Sequence, residues 1–166
     1  MNNKGFTLTE LTVTIALMGI ISGISIPSYF SWLPKHRLQT SVRKIYDDMN
    51  LARSRAVRTG TLTVVKFDPA NNKYTVFLET SSPLNWALDF GETVISTGNL
   101  PNGVDITDTT FTSNTYGFNS NGMTQNPAIP GDVHLTNASG LYLGVRVNSA
   151  GGLSIIQSTD EGSTWS

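Results

Sequence analysis

Leu11 to Pro34 is a run of 24 residues without a formal charge, and it begins directly behind an acid, Glu10. About 20 predominantly apolar residues suffice to carry a helix across a bilayer, so the head of the chain can span one. Three fates compete for such a run: a secretory signal peptide, a plain anchor, or an anchor whose start is processed. A signal peptide has an apolar stretch of roughly 7 to 15 residues followed by a small-x-small cleavage site. Here the run is longer, its one alanine is Ala16, and Tyr29, Phe30 and Trp32 stand where that site belongs. The run reads as an anchor.

Glu10 then needs an account. An acid in the first turn of a helix gains some tenths of a kcal/mol from the macrodipole. An ionised acid inside a membrane helix costs more, about 2.5 to 3.5 kcal/mol at mid-span, and such acids usually have a partner. No basic residue follows Glu10 before Lys35, so its own helix supplies none. A cation from another chain answers the need, and the simplest is an amino terminus freed by cleavage just upstream.

Lys4-Gly5-Phe6-Thr7-Leu8-Thr9-Glu10 resembles the leader of type IV prepilins and type II secretion pseudopilins: a short basic stretch ending in Gly, then Phe, then an acid, then an apolar helix. The resemblance implies cleavage after Gly5 by a prepilin peptidase and N-methylation of Phe6. It also implies pairing of Glu10 with a neighbouring subunit's Phe6 amine during assembly, and a kink at Pro27. The partners it implies are the peptidase, other pilin or pseudopilin subunits, and the inner membrane. Lys35, Arg37, Arg43 and Lys44 follow the span and only Lys4 precedes it, against the positive-inside bias, although long domains translocate despite their charge.

Charge divides the remainder. Residues 35–58 hold seven basic side chains against Asp47 and Asp48, and residues 59–166 hold three basic against nine acidic: a basic neck of +5 and an acidic body of −6. Leu38, Val42, Ile45, Met49, Ala52 and Ala56 recur at spacings of three and four, the stripe of a helix packed on one side. Gly60, just after Arg58, is the expected stop. Pro27 and Pro34 each withdraw a backbone donor, so bends are expected there. Gly19 and Gly23 form a weak G-x-x-x-G.

After Gly60 come β-branched and aromatic runs: 61–68, 73–79, 92–97, 104–107, 115–119, 132–136, 141–147 and 153–157. Pro69-Ala70-Asn71-Asn72 marks a hairpin, and Thr80 to Gly91 a long loop. The expected fold class is α+β, a long N-terminal helix packed against a C-terminal antiparallel β-sheet or β-sandwich. The expected parts are a leader (1–5), a membrane and assembly half-helix (6–34), an amphipathic half-helix (35–60) and a β-rich domain outside the cytoplasm (61–166). Leu51 to Gly60, Phe118 to Gly122 and Val147 to Leu153 are similar to segments of the GspH/FimT pseudopilins. That likeness implies a β-sandwich on a long helix and a low-copy subunit near the tip of a filament.

Other chemistry is weakly represented. The chain has no cysteine and two histidines, His36 and His134, which removes thiolate chemistry and multi-histidine metal sites. G-x-S-x-G, H-E-x-x-H and phosphate-loop patterns are absent, so neither an enzyme nor a cofactor is expected. His134 is expected to face solvent from a strand. Asp160 and Glu161 offer two oxygen ligands, too few for a calcium site, and Asn137-Ala138-Ser139 matches the glycosylation tripeptide. Nucleic acid is the weaker partner reading. Phosphate binding needs exposed bases, and here these lie mainly in the neck, while 159–166 carries none.

Overall fold

The computed structural model describes residues 5–81, 84–125, 131–160 and 162–166, and it divides into two compact units, Met1–Leu33 and Pro34–Ser166. Among the described residues a single α-helix, α1, runs from Leu8 to Thr59. Its backbone stays helical through both Pro27 and Pro34, since each proline removes one hydrogen bond while the flanking turns keep theirs. In the first unit, residues 5–32 are all exposed. Hydroxyls within this apolar stretch are satisfied by the helix itself: Thr12 Oγ1 donates to Thr9 O at 2.9 Å, Thr14 Oγ1 to Glu10 O at 2.7 Å and Ser31 Oγ to Ser28 O at 2.9 Å. Such back-bonding satisfies these three hydroxyls without water.

In the second unit the expected stripe is the buried face of α1: Leu38, Val42, Ile45, Met49, Ala52 and Ala56 are at most 1 % exposed. Burial of each larger member contributes about 1.5 to 3 kcal/mol. The helix ends where Gly60 takes φ +69° and donates its N–H to Ala56 O at 3.0 Å, a left-handed cap that glycine adopts without steric cost.

Among the described residues eight strands follow: β1 (Thr63–Asp68), β2 (Lys73–Leu78), β3 (Val94–Asn99), β4 (Val104–Thr109), β5 (Thr115–Phe118), β6 (Gly131–Asn137), β7 (Tyr142–Val147) and β8 (Leu153–Ser158). They form two antiparallel four-stranded sheets, ordered β3-β2-β1-β5 and β4-β6-β7-β8. The β1–β2 hairpin turns through a short 3₁₀ segment, Pro69–Asn71, opened by Asp68, whose side chain accepts from Asn71 N, and closed by Asn72 in the left-handed region. Asn72 then reaches across, donating from Nδ2 to Asp105 at 2.6 Å and accepting from Ile106 N at 2.9 Å, which joins the two sheets.

The alternation of each strand decides which faces are filled. Val65 and Phe67 of β1, Tyr74 and Val76 of β2, and Tyr116 and Phe118 of β5 share one core with Val133 and Leu135 of β6, Val145 of β7 and the stripe of α1. A chain of ring contacts, Tyr74–Phe67–Phe111–Tyr116–Phe118, runs through it with centroids 5.0 to 6.0 Å apart. On its other side the first sheet carries a smaller cluster of Leu62, Val64 and Phe77, with Trp86 of the long loop packed against it. The expected α+β class is the observed one, and of the two expected arrangements it is the one with two antiparallel sheets.

Candidate functional site

The sequence-predicted head is described from Gly5 onward, and Lys4 lies outside the described residues. Phe6 is 92 % exposed. Immediately after it, Thr7 and Glu10 close a reciprocal cap: Thr7 N donates to Glu10 Oε2 at 3.0 Å, Glu10 N donates to Thr7 Oγ1 at 3.2 Å, and Thr7 Oγ1 donates to Glu10 Oε2 at 2.8 Å. This is a capping box, in which a hydroxyl residue and an acid three positions on satisfy each other's orphan amides. The Thr-x-x-Glu spacing ahead of an apolar run is its sequence signal, and charge reasoning alone passed over it. The cap engages Oε2, while Oε1 takes part in none of the hydrogen bonds among the described residues. The carboxylate therefore orders its own helix start and still presents an acceptor beside Phe6.

Within the first unit, the span carries its apolar side chains unburied, with Ile24 73 % and Phe30 65 % exposed. Pro27 sits inside α1 and Gly19 and Gly23 have open space where a Cβ would be.

The three segments singled out in the body meet one another. Arg53 on α1 donates from Nε to Gly122 O at 3.0 Å, so the first segment is tied to the turn of the second. The third arrives at the same place: a Cβ on Gly151 would overlap Gly122 O, and Gly151 has φ +74°. Asn119 and Asn148 order the two turns, each accepting backbone N–H bonds from residues two and four positions on. The glycines are needed because two turns approach backbone to backbone under an arginine of the helix.

A second tie joins α1 to the first sheet. Asp48 accepts from Tyr74 Oη at 2.5 Å and from Ser96 Oγ at 3.1 Å. Burial, then the bond to Asp48, pushes the Tyr74 phenol above its ordinary range. Gly98 of β3 makes room for that ring.

The long loop is held by two carboxylates that sequence reasoning did not single out. Glu79, 1 % exposed, accepts from Trp86 N at 2.8 Å and Ser81 N at 3.1 Å and also bonds the Ser81 hydroxyl. Glu92 accepts from Thr80 N at 2.7 Å and Asp89 N at 3.0 Å. Partial burial opposes charge on Glu92, yet the amides of Asp89 and Thr80 hold its carboxyl below the usual value. Pro83, the proline noted in this loop, lies outside the described residues.

The remaining candidates resolve otherwise. His134 does not face solvent: it is 9 % exposed and stacked on Trp165, centroids 4.0 Å apart and planes 7° apart, because the C-terminal turn folds back over the second sheet. Its Nε2 is 3.7 Å from Asp132 Oδ2, and Arg146 grips the same carboxylate through Nε at 3.0 Å and Nη2 at 2.8 Å. Burial works to raise the Asp132 pKa, but His134 and Arg146 together outweigh it and hold it low. Asp160 is committed to the C-terminal turn, where the Thr164 and Ser158 hydroxyls bring it to about 2. Its sequence neighbour Glu161 lies outside the described residues. Asn137, 4 % exposed, accepts from Ser139 N and Leu141 N inside the β6–β7 turn, so its tripeptide is a structural turn. In the neck, Lys35, Arg43, Lys44 and Arg58 are exposed and pair with no carboxylate among the described residues.

A long helix entered through Gly-Phe-x-x-x-Glu, with its second half embedded in a two-sheet antiparallel body, defines a pilin-like protein. Residues 1–26 match the model of the prokaryotic N-terminal methylation motif, and residues 41–151 match the model of the type II transport protein GspH. The second match covers well over half of the chain, and the protein belongs to the GspH family. Its fold is similar to that of the minor pseudopilin EpsH from the type 2 secretion system of Vibrio cholerae, with a TM-score of 0.56 and 16 % identity over 73 % of this chain and 97 % of that one. It is also similar to the type IV minor pilin FimU of Pseudomonas aeruginosa, with a TM-score of 0.53 and 14 % identity over 73 % and 89 % of the two chains. A fimbrial protein of Pseudomonas aeruginosa is 28 % identical over 82 residues, 49 % of this chain, and the match spans 53 % of that relative's length.

Proposed function

We propose that the protein is a non-enzymatic minor subunit of a pilin-like filament, of the secretion or the type IV pilus kind. In this reading a prepilin peptidase cuts after Gly5 and Phe6 is N-methylated. The chain waits in the cytoplasmic membrane as a single-pass protein with residues 61–166 outside the cytoplasm, then joins other pilin-like subunits near the filament tip. The observation that carries this is the head of α1: a wholly exposed apolar face from 11 to 32, entered through a capped Glu10 whose Oε1 is uncommitted next to Phe6. Hydrocarbon covers that face before assembly and neighbouring helices cover it afterwards. Glu10 orients the incoming subunit by accepting the amine of an adjacent Phe6, a charge-assisted bond strengthened in a low dielectric.

The basic neck, where Lys35, Arg37, Arg43, Lys44 and Arg58 are exposed, and the −6 body give adjacent subunits opposite charges to bring together, and the same acidic body disfavours the DNA-binding alternative. The likeness to EpsH, a minor pseudopilin, and to FimU, a minor pilin, supports a minor-subunit role. The test is Glu10→Val in the full precursor. The variant should fractionate with membranes like wild type yet be lost from sheared or purified filaments; incorporation at the wild-type level overturns the role given to Glu10.

A further inference from the structure

The body has three basic residues among nine acids between 59 and 166, and their fates differ. Arg146 is held by Asp132 and Lys73 lies 3.4 Å from Asp68. Lys66, on the outer face of β1, has no carboxylate within ion-pair distance among the described residues. It is also the one residue besides Ser113 that lines two adjoining cavities, of about 610 and 360 Å³. Phe77 and Leu88 line the larger cavity, Trp86 and Ala87 the smaller, and Thr75, Thr112 and Thr115 add hydroxyls. A cation without an ion-pair partner thus stands between two hollows, the larger of which also holds the Asp68–Lys73 pair on its wall.

The walls are built, not incidental. On one side stands the loop stapled by Glu79 and Glu92; on the other, the turn at 112–114. Trp86 (φ 61°), Ser113 (φ 55°) and Asn114 (φ 55°) are three of the four non-glycine residues with positive φ among the described residues, and all three line the hollows. Left-handed backbone at side-chain-bearing residues persists where the surroundings over-determine it and gathers at ligand sites. From the loop's outer end Phe90 projects with its whole side chain in water, 110 % exposed, alongside Leu88 at 43 % and Leu84 at 45 %. Three large apolar side chains spent on solvent in one loop present an interaction surface.

We propose that this groove is a docking site for an extended polypeptide segment that carries a carboxylate next to a large apolar side chain. The carboxylate pairs with Lys66, the apolar neighbour enters the hollow over Phe77 and Leu88, and Phe90 closes on it from the rim. Charge selects this occupant. A single free base in a body of net −6 suits one acidic side chain and repels polyanions such as DNA or an anionic membrane surface. A basic segment would place like charge against Lys66 at the centre. The site lies within Pro34–Ser166 and does not depend on the assembly reading.

The test uses the full chain in detergent or nanodiscs. A phage-displayed library of random twelve-residue peptides is selected on it, and the enriched peptide is synthesised with a fluorescent label for anisotropy. Wild type should enrich peptides with Asp or Glu within a few residues of Phe, Trp or Leu. Lys66→Glu, an exposed substitution whose unfolding midpoint should match wild type, should weaken the selected peptide by about tenfold or more and improve binding of its Asp-to-Lys or Glu-to-Lys counterpart. Phe90→Ser should weaken it about fivefold or more. Lys66→Met provides the same comparison if the charge reversal fails to fold. The proposal is overturned if no acidic-apolar consensus emerges, or if the Lys66 variants change affinity by less than about twofold. Phosphatidylglycerol vesicle binding lost in Phe90→Ser, or a dimer of the full chain lost in Lys66→Glu, would assign the face to lipid or to a second copy and overturn it equally.

Discussion

Gly98→Ala probes the tie between α1 and the first sheet with one methyl group. A Cβ at Gly98 would lie under 3.0 Å from Cζ, Cε1 and Oη of Tyr74, against the ~3.5 to 4.0 Å that carbon atoms prefer. Gly98 itself does not have a positive φ, so the backbone contributes no strain of its own. The ring is 1 % exposed and belongs to the main core. It must retreat by roughly 1.5 to 2 Å to restore contact distance, and its 2.5 Å bond to Asp48 breaks as it does. Overpacking of this kind costs about 1 to 3 kcal/mol, and a hydrogen bond to a charged acceptor is worth about 1.5 to 3 kcal/mol. The sum, about 2.5 to 6 kcal/mol, is a large share of the ~5 to 15 kcal/mol that holds a domain together. Denaturant unfolding of the full chain in detergent measures it. The same substitution in a Tyr74→Phe background should cost about 1.5 to 3 kcal/mol less, because that background has no hydroxyl bond left to lose. A Gly98→Ala cost below about 1 kcal/mol, or an equal cost in both backgrounds, refutes the reasoning.

Glu79→Ala should leave the Trp86 amide unpaired and weaken the hold on Ser81, costing about 1 to 3 kcal/mol. Hydrogen exchange should show protection lost in 80–92 while β1 and β2 keep theirs, and Glu79→Gln, which retains an acceptor, should lose less. Because the folded state holds Asp132 below its ordinary value, its contribution is complete above about pH 4 and declines as pH falls through the folded value. Asp132→Asn should therefore flatten the acid limb of an unfolding titration. Asp160, brought to about 2 by Thr164 and Ser158, should release the C-terminal turn, and Trp165 with it, as acid protonates it; an Asp160→Asn tail insensitive to pH in tryptophan fluorescence is the check.

Local signals made much of this fold legible. The stripe from Leu38 to Ala56, the stop at Gly60 and the hairpin at Pro69 to Asn72 depend on residues within a turn or two of one another, and all eight strands were marked by runs bounded by turn residues. Pairing order was not legible, because β5 joining β1 and β4 joining β6 are contacts between distant segments that periodicity does not encode. Two misreadings have the same origin. His134 was expected in solvent because the strand pattern says nothing of a tail returning with Trp165, and Glu79 was passed over because an acid at a strand end is ordinarily exposed. The head was legible by motif, but the Thr7–Glu10 cap shows that the acid also serves its own helix, a role that a count of missing cations does not reveal.

In the proposed reading the apolar helix enters a filament from a processed start. Mass spectrometry of the intact protein and its N-terminal peptide, taken from native membranes and filaments, tests it most directly. The account predicts a chain beginning at Phe6 with one methyl on its amine; a chain beginning at Met1, or cut after Trp32, contradicts it.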